Sequence, residues 1–426
     1  MSEENKANSY RSIAKGTAMM GGVQVFSILI NIVRGKLVAM FLGPGGMGIS
    51  SLLNSTVIPI QQFTSLGLSL SAVKDVAEIE DKDNHSKFNH ISVIRTLSLF
   101  TAILGSVVLS CLAPYLSKVT FGDSTYKWHF IALSVMILFT TLADNERAIL
   151  QGSHSLKRLA YSSLVGSITG LFIGVPLYYF FGTEGIVPAM IILSVVTYCF
   201  YRYNEAQIFN SKILSFSQIK SFNPIVRSLL SLGLISMISS LLGTTSNFAI
   251  NAYIRYAGGV NDVGYFQAAN SITNQYVALV FSAMSMDYFP RLASVSNEND
   301  KIRNIVNSQS EIVLLVIAPI ICAMICFAPI MIEVLLTKEF LSLQPIIRIF
   351  AFAVFFKALA YPMGYISFAK GDKKTFFWLE GVYGNLILVL SSICAYHFWG
   401  LIGLAIALVM TYVIVLITYL VINTIT

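Results

Sequence analysis

Charged side chains are what this sequence has least of. Asp, Glu, Lys and Arg make up 12% of its 426 residues, against 55% hydrophobic ones. Soluble domains carry about 25% charged residues. A chain this poor in charge cannot cover its outside with groups that face water, and a soluble globular fold is excluded. Metal-ligand spacing is also missing: His85, His90, His129, His154 and His397 are scattered among loops and helix ends. The cysteines (Cys111, Cys199, Cys322, Cys326 and Cys394) all fall in apolar runs. Cys322 and Cys326 share a helical face, but no histidine or acid accompanies them, so small core residues are expected rather than a redox or metal centre. No Walker lysine follows any glycine loop and no strand precedes the glycines at 43–48, which excludes direct use of ATP and a dinucleotide fold. Loops on the side opposite the termini are too short to hold the catalytic cluster of a membrane-embedded glycan polymerase or ligase. The chain is therefore expected to be no enzyme and to need no cofactor and no metal. Its polar start, Met1-Ser-Glu-Glu-Asn-Lys, and an over-long first apolar run without an A-x-A-like site predict no cleavable signal peptide.

What the sequence does contain is apolar helix. Runs of about 20 residues or more recur, each long enough to cross a bilayer. About twelve spans are expected, at 10–42, 46–73, 87–115, 127–152, 157–181, 184–207, 225–256, 262–290, 304–336, 340–369, 373–398 and 401–424. With the N-terminus inside, 19 Lys and Arg residues fall in cytoplasmic segments, against 4 (Lys118, Lys127, Lys338 and Arg255) on the other side. Positive residues are retained inside, so both termini are expected in the cytoplasm. The net charge of +7 sits in these short loops and not in one patch, so no nucleic-acid partner is expected.

The spans repeat. Asn31, Gly43, Gly48, Asn54 and Ser55 return as Asn247, Gly259, Gly264, Asn270 and Ser271, each 216 residues later. Gly166, Gly182, Gly185 and Ala189 return as Gly384, Gly400, Gly403 and Ala407, each 218 residues later. Six spans occurring twice in the same order and orientation make a parallel repeat, with the halves related by an axis along the membrane normal and a substrate cavity between them. The expected fold is an all-α polytopic membrane protein of two six-helix lobes related by pseudo-two-fold symmetry. The N-lobe covers 1–207, a cytoplasmic linker 208–224 and the C-lobe 225–426. In the linker, Ile213, Phe216 and Ile219 are spaced for a short helix lying on the membrane interface, with a plain flexible linker as the alternative.

Three stretches carry a resemblance: Gly35-Lys-Leu-Val-Ala followed by Phe41-Leu-Gly-Pro-Gly-Gly-Met-Gly48, then Val73-Lys-Asp-Val-Ala77, and Leu150-Gln-Gly152. In these the chain resembles the Wzx-type O-antigen and common-antigen flippases of the multidrug/oligosaccharidyl-lipid/polysaccharide (MOP) exporter superfamily. The resemblance implies a MATE-like pair of lobes that alternates between inward-open and outward-open states. The implied cargo is an undecaprenyl-diphosphate-linked oligosaccharide carried to the outer leaflet of the bacterial inner membrane. The candidate partners are membrane lipids and downstream polysaccharide polymerase or ligase machinery, and the driving force is left open between H+ or Na+ as coupling ion, the membrane potential and the cargo's own concentration difference.

Such a cargo needs a polar, cationic cavity, and the residues offer one independently. The first span has a stripe at helical spacing, Thr17, Gly21, Gln24, Ser27, Asn31 and Arg34, which the seventh repeats with Ser240, Thr244, Asn247, Asn251 and Arg255. The second span adds Ser51, Asn54, Gln61 and Ser65 around Pro59, an expected kink, and the eighth adds Gln267, Asn270 and Asn274. The alternative is that these side chains bond between packed helices. Ionisable groups cost about 2.5–3.5 kcal/mol each at mid-bilayer and normally face the interior. The expected diphosphate clamp is Arg34 with Lys36 or Arg147, and Lys357 or Arg348 from the other lobe, because arginine's planar fork can grip two oxygens. Asp144 and Glu146 are candidates for ion coupling, with Glu380 a further acid in a span. Asp287 and Glu311 are expected to pair with Arg291 or Arg95. The excess of basic over acidic groups favours an anionic cargo over the competing ion-coupled organic-cation antiporter.

Overall fold

The computed structural model describes residues 3–79, 84–209, 213–214, 222–293, 295, 298–370, 372, 375 and 377–425. Side-chain surroundings are described within these, except at 3–21, 23–24, 84–85, 235, 274–280, 282–287, 289–290, 293, 368, 380 and 423–425. Among the described residues the chain is helical and has no strand. The helices are α1 (Glu3–Thr64), α2 (Leu68–Glu78), α3 (Asn84–Phe121), α4 (Lys127–Gly152), α5 (Leu156–Phe181), α6 (Ile186–Ala206), α7 (Asn223–Gly258), α8 (Val260–Ala293), α9 (Asn299–Cys326), α10 (Ala328–Leu335), α11 (Gln344–Ala369) and α12 (Gly384–Ile425). Short 3₁₀ turns lie at Gly182–Gly185 and Lys338–Leu343, and a π-helical turn at Phe377–Tyr383.

Eight stretches among the described residues are long and apolar enough to cross a membrane. Val25–Thr64, Leu156–Ala206 and Phe377–Ile422 run to 40, 51 and 46 residues, more than the ~20 that one crossing needs. Each is interrupted at a glycine with positive φ: Gly43 (60°), Gly182 (55°) and Gly400 (57°). A Cβ disfavours that conformation, so glycine marks where one crossing ends. The repeat read from sequence is thereby also a repeat of backbone geometry. Gly43 and Gly259 both have positive φ, as do Gly182 and Gly400. A Cβ on Gly185 would strike the Leu177 carbonyl, and one on Gly403 would strike the Ala395 carbonyl, its counterpart 218 residues on. Gly48 is pressed against the Val260 carbonyl and Gly264 against the Pro44 carbonyl, so the two repeated turns meet reciprocally. Gly264→Ala must move backbone rather than a flexible side chain. It is expected to cost about 1–3 kcal/mol in thermal unfolding, whereas Gly22→Ala, with nothing within 4 Å of its Cβ among the described residues, is expected to cost nothing and to gain up to about 1 kcal/mol of helix propensity.

Three expectations about the spans are corrected. The second expected span, 46–73, instead ends at Thr64. Leu66 (φ 52°) and Gly67 (φ 63°) turn the chain there, and Gly67 and Gly233 approach so closely that a Cβ on either would meet the other's backbone segment. The expected span 304–336 is broken at Phe327, between α9 and α10. Pro329 supplies the reason, since it has no N–H for the Ile325 carbonyl four residues back. All five cysteines are exposed, not core. In a bilayer the outward face of a span is itself apolar, so small apolar residues need not be inside. The expected interfacial helix of the linker lies largely outside the described residues. Ile213 is exposed, and the Leu214 N–H donates to Thr96 Oγ1 at 2.9 Å.

The chain divides into two compact units, Met1–Arg34 with Leu53–Leu241, and Gly35–Leu52 with Leu242–Thr426. The contact boundary thus assigns 35–52 to the later half of the chain and 225–241 to the earlier half. In the first unit α3 packs on α4, α4 on α6 and α5 on α6. Its core gathers Leu68, Ala72, Val76, Ile91, Ile94, Ala148, Ile149 and Leu229. In the second unit α11 packs on α12 and α9, and Tyr288, Leu292, Ile302, Val306 and Ile366 form a cluster whose Tyr288 hydroxyl donates to the Pro362 carbonyl at 2.7 Å.

Candidate functional site

In the first unit, Arg34 stands on α1 nine residues before Gly43, about 13 Å along the helix. It is half-buried, and among the described residues it has no hydrogen-bonded or ion-paired partner. Its guanidinium lies against α5 at Gly170, with Nη1 3.3 Å from where a Cβ at that position would stand. Asn31, one turn earlier, is exposed, and the side chain of Gln24 lies outside the described residues. Residues two apart on a helix point to nearly opposite sides, so Lys36 does not join Arg34. In the second unit its ammonium donates to the carbonyls of Val334 (2.7 Å) and Glu333 (3.2 Å), which end α10. This is the placement that a helix C-terminus favours for a cation.

Helix α4 separates its charges by the same geometry. Asp144 and Arg147 are exposed on one face, where Gln61 Nε2 donates to Asp144 Oδ2 at 3.1 Å. Arg147 bears on both Asp144 and Tyr201. Glu146 points the other way, into the protein. Its Oε1 lies 3.4 Å from Arg95 Nε and 3.9 Å from Arg202 Nε. Glu205 completes the group, bound by Arg95 and, at 2.7 Å, by Arg202 Nη1. The side chains of Arg95, Glu146 and Glu205 are 6%, 7% and 0% exposed. Two arginines and two glutamates thus make a charge-balanced quartet joining α3, α4 and α6, with Arg95, Glu146 and Glu205 buried and Arg202 about a third exposed. Arg95 was expected to meet Asp287 or Glu311. It binds Glu146 and Glu205 instead, while Glu311 is exposed without an ion pair among the described residues. Asp287 and Glu380 lie outside the described side chains. The i, i+3 pair Arg202–Glu205 was visible in the sequence, but the burial of Glu205 was not.

In the second unit Lys357, half-buried on α11, stands over the Tyr412 ring at 5.6 Å. Tyr412 had no place in the sequence reading. Arg348 is exposed, and its Nε donates to the Ile325 carbonyl at 3.2 Å, the acceptor that Pro329 cannot serve. The bond is exposed, so Arg348→Ala is expected to cost no more than about 1 kcal/mol, read by thermal unfolding in detergent. Asn251 is buried and not open to a cavity. Its Nδ2 donates to Asn247 Oδ1 at 2.8 Å, and Asn247 is exposed. Arg255 ends α7, where a cation suits the helix dipole. Ser51 donates to Oε1 of Gln267, its own repeat counterpart, at 3.2 Å. Asn54 and Asn270 are half-buried and hydrogen-bonded or otherwise in contact, while the side chain of Asn274 lies outside the described residues. The structure thus brings together Gln61 with Asp144, and Asn247 with Asn251. It gives Lys36 and Arg348 structural bonds, and among the described residues it leaves Arg34 without a counter-charge.

The chain is 21% identical over 416 residues to the lipid III flippase of Escherichia coli (strain K12), covering 95% of this chain and 96% of that protein. An inward-facing multidrug resistance MATE family transporter of the MOP superfamily matches with a TM-score of 0.74 at 16% identity, over 93% of this chain and 94% of that one. The lipid II flippase MurJ, in an inward closed conformation, matches with a TM-score of 0.74 at 15% identity, over 96% of this chain and 88% of that one. The fold is therefore the all-α fold of the MOP superfamily, in a multi-pass membrane protein. The sequence profile described as "Polysaccharide biosynthesis protein" matches residues 37–345, well over half of the chain, and the chain belongs to that polysaccharide biosynthesis protein family.

Proposed function

We propose that this protein is a flippase for an undecaprenyl-diphosphate-linked oligosaccharide, and that it carries no catalytic activity. It moves the repeat unit from the cytoplasmic to the outer leaflet of the bacterial inner membrane by alternating access, for O-antigen, capsule or related surface polysaccharide. Twelve crossings with both termini in the cytoplasm follow from counting each glycine-broken stretch twice, adding α8, and applying the positive-inside rule. The observation that carries the reading is Arg34. An intramembrane arginine is costly unless it has a partner, and among the described residues this one has neither an acidic nor a hydrogen-bonded partner. A diphosphate is the partner its planar fork fits. Lys357 is the matching cation of the second unit. The quartet arginines occupy Glu146, so Asp144, held by one neutral amide beside Arg147, is the better candidate for coupling to H+ or Na+. The family's description as polysaccharide biosynthesis proteins and the lipid III named for the E. coli relative support the class of cargo.

The test is purified protein in liposomes that contain a fluorescent undecaprenyl-diphosphate oligosaccharide. Protein-dependent appearance of the sugar at the far leaflet is expected. Failure to move it, together with export of an organic cation against a proton gradient, overturns the reading in favour of the antiporter.

A further inference from the structure

We propose that Gly170 is a positioning residue for the Arg34 guanidinium, an inference that rests on the flippase reading above. A glycine inside a helix costs about 1 kcal/mol relative to alanine, so a buried one needs a reason. Helix α5 has three on one face, Gly166, Gly170 and Gly174, all buried. Their surroundings differ. A Cβ at Gly166 would stand 3.4 Å from Thr197 Oγ1, and one at Gly174 would stand 3.7 Å from the Tyr178 ring, both ordinary packing. At Gly170 the neighbours are Leu193 Cδ1 at 3.2 Å and Arg34 Nη1 at 3.3 Å. Only this glycine of the three has a cation over it. The bared backbone of α5 gives the guanidinium a flat surface to lie on, and a longer side chain there would push the fork away. Arginine carries about 2 kcal/mol of rotamer entropy, and a wall that restricts its rotamers before the cargo arrives reduces what binding must still order.

The experiment compares leucine at two glycines one turn apart in the liposome assay. Gly170→Leu is expected to raise the cargo concentration for half-maximal transfer about tenfold, the loss of one charge-assisted contact. Gly166→Leu disturbs the same α5–α6 interface without touching Arg34 and is expected to stay within about twofold. In an Arg34→Ala background Gly170→Leu is expected to add nothing, because two residues acting through one contact are not additive. Equal effects of the two leucines, or an additive effect on top of Arg34→Ala, would overturn the positioning role and leave the flippase reading standing. Normal transfer by Arg34→Ala would instead remove the site reading itself. If the leucine variants do not fold, Gly170→Val against Gly166→Val makes the same comparison with a smaller side chain.

Discussion

Glu205→Ala is expected to cost about 3–5 kcal/mol of stability, the penalty of leaving buried charge uncompensated. Glu205 is fully buried and accepts from both Arg95 and Arg202. Without it, two guanidiniums share the single carboxylate of Glu146, and Arg95 has little exposure through which water could repay the lost bond. The partner replacement gives the sharper result. Arg95→Met combined with Glu205→Leu removes one charge of each sign and leaves Arg202 with Glu146, so most of the loss is expected to return. Replacing a buried ion pair by apolar groups is often near neutral. Unfolding of the purified variants in detergent measures both. A Glu205→Ala protein within about 1 kcal/mol of wild type would mean that the quartet is hydrated and does not hold α3, α4 and α6 together.

Arg34→Ala is expected to behave in the opposite way, with stability nearly unchanged and transfer impaired. The side chain is half-buried and has no partner among the described residues, so its removal breaks no internal bond, and a stability change within about 1 kcal/mol is expected. A hydrogen bond to a charged group contributes about 1.5–3 kcal/mol, which corresponds to a rise of about 10- to 150-fold in the half-saturating cargo concentration. Arg34→Lys keeps the charge but loses the two-pronged geometry and is expected to fall between wild type and alanine. A lysine variant as poor as alanine would show that geometry, and not charge, is what the cargo reads.

The sequence made the crossings and the repeat legible because both depend on features that need no partner. Gly43, Gly182, Gly259 and Gly400 stood out by their matched spacing, and each has the positive φ that only glycine adopts freely. The charges were less legible. Arg95, Glu146 and Glu205 lie on three different helices, and nothing along a single chain says that they converge. Arg348 was read as a clamp because its span is apolar. Its bond to the Ile325 carbonyl follows from Pro329, a clue that was present but belonged to another helix. Lys36 could have been set apart from Arg34 by helical angle alone. The cysteines were misplaced because burial rules for water-soluble proteins reverse on a lipid-facing surface.

The most direct test of the central claim, an intramembrane cationic site for a diphosphate, is transfer of two cargoes that differ only there. One is an undecaprenyl-diphosphate oligosaccharide, and the other is the same oligosaccharide on an uncharged undecaprenyl ether. The account predicts that wild type moves the diphosphate form at least about tenfold more effectively, and that Arg34→Ala reduces the diphosphate form toward the level of the uncharged one. Equal transfer of both cargoes by wild type, unaffected by Arg34→Ala, would contradict it.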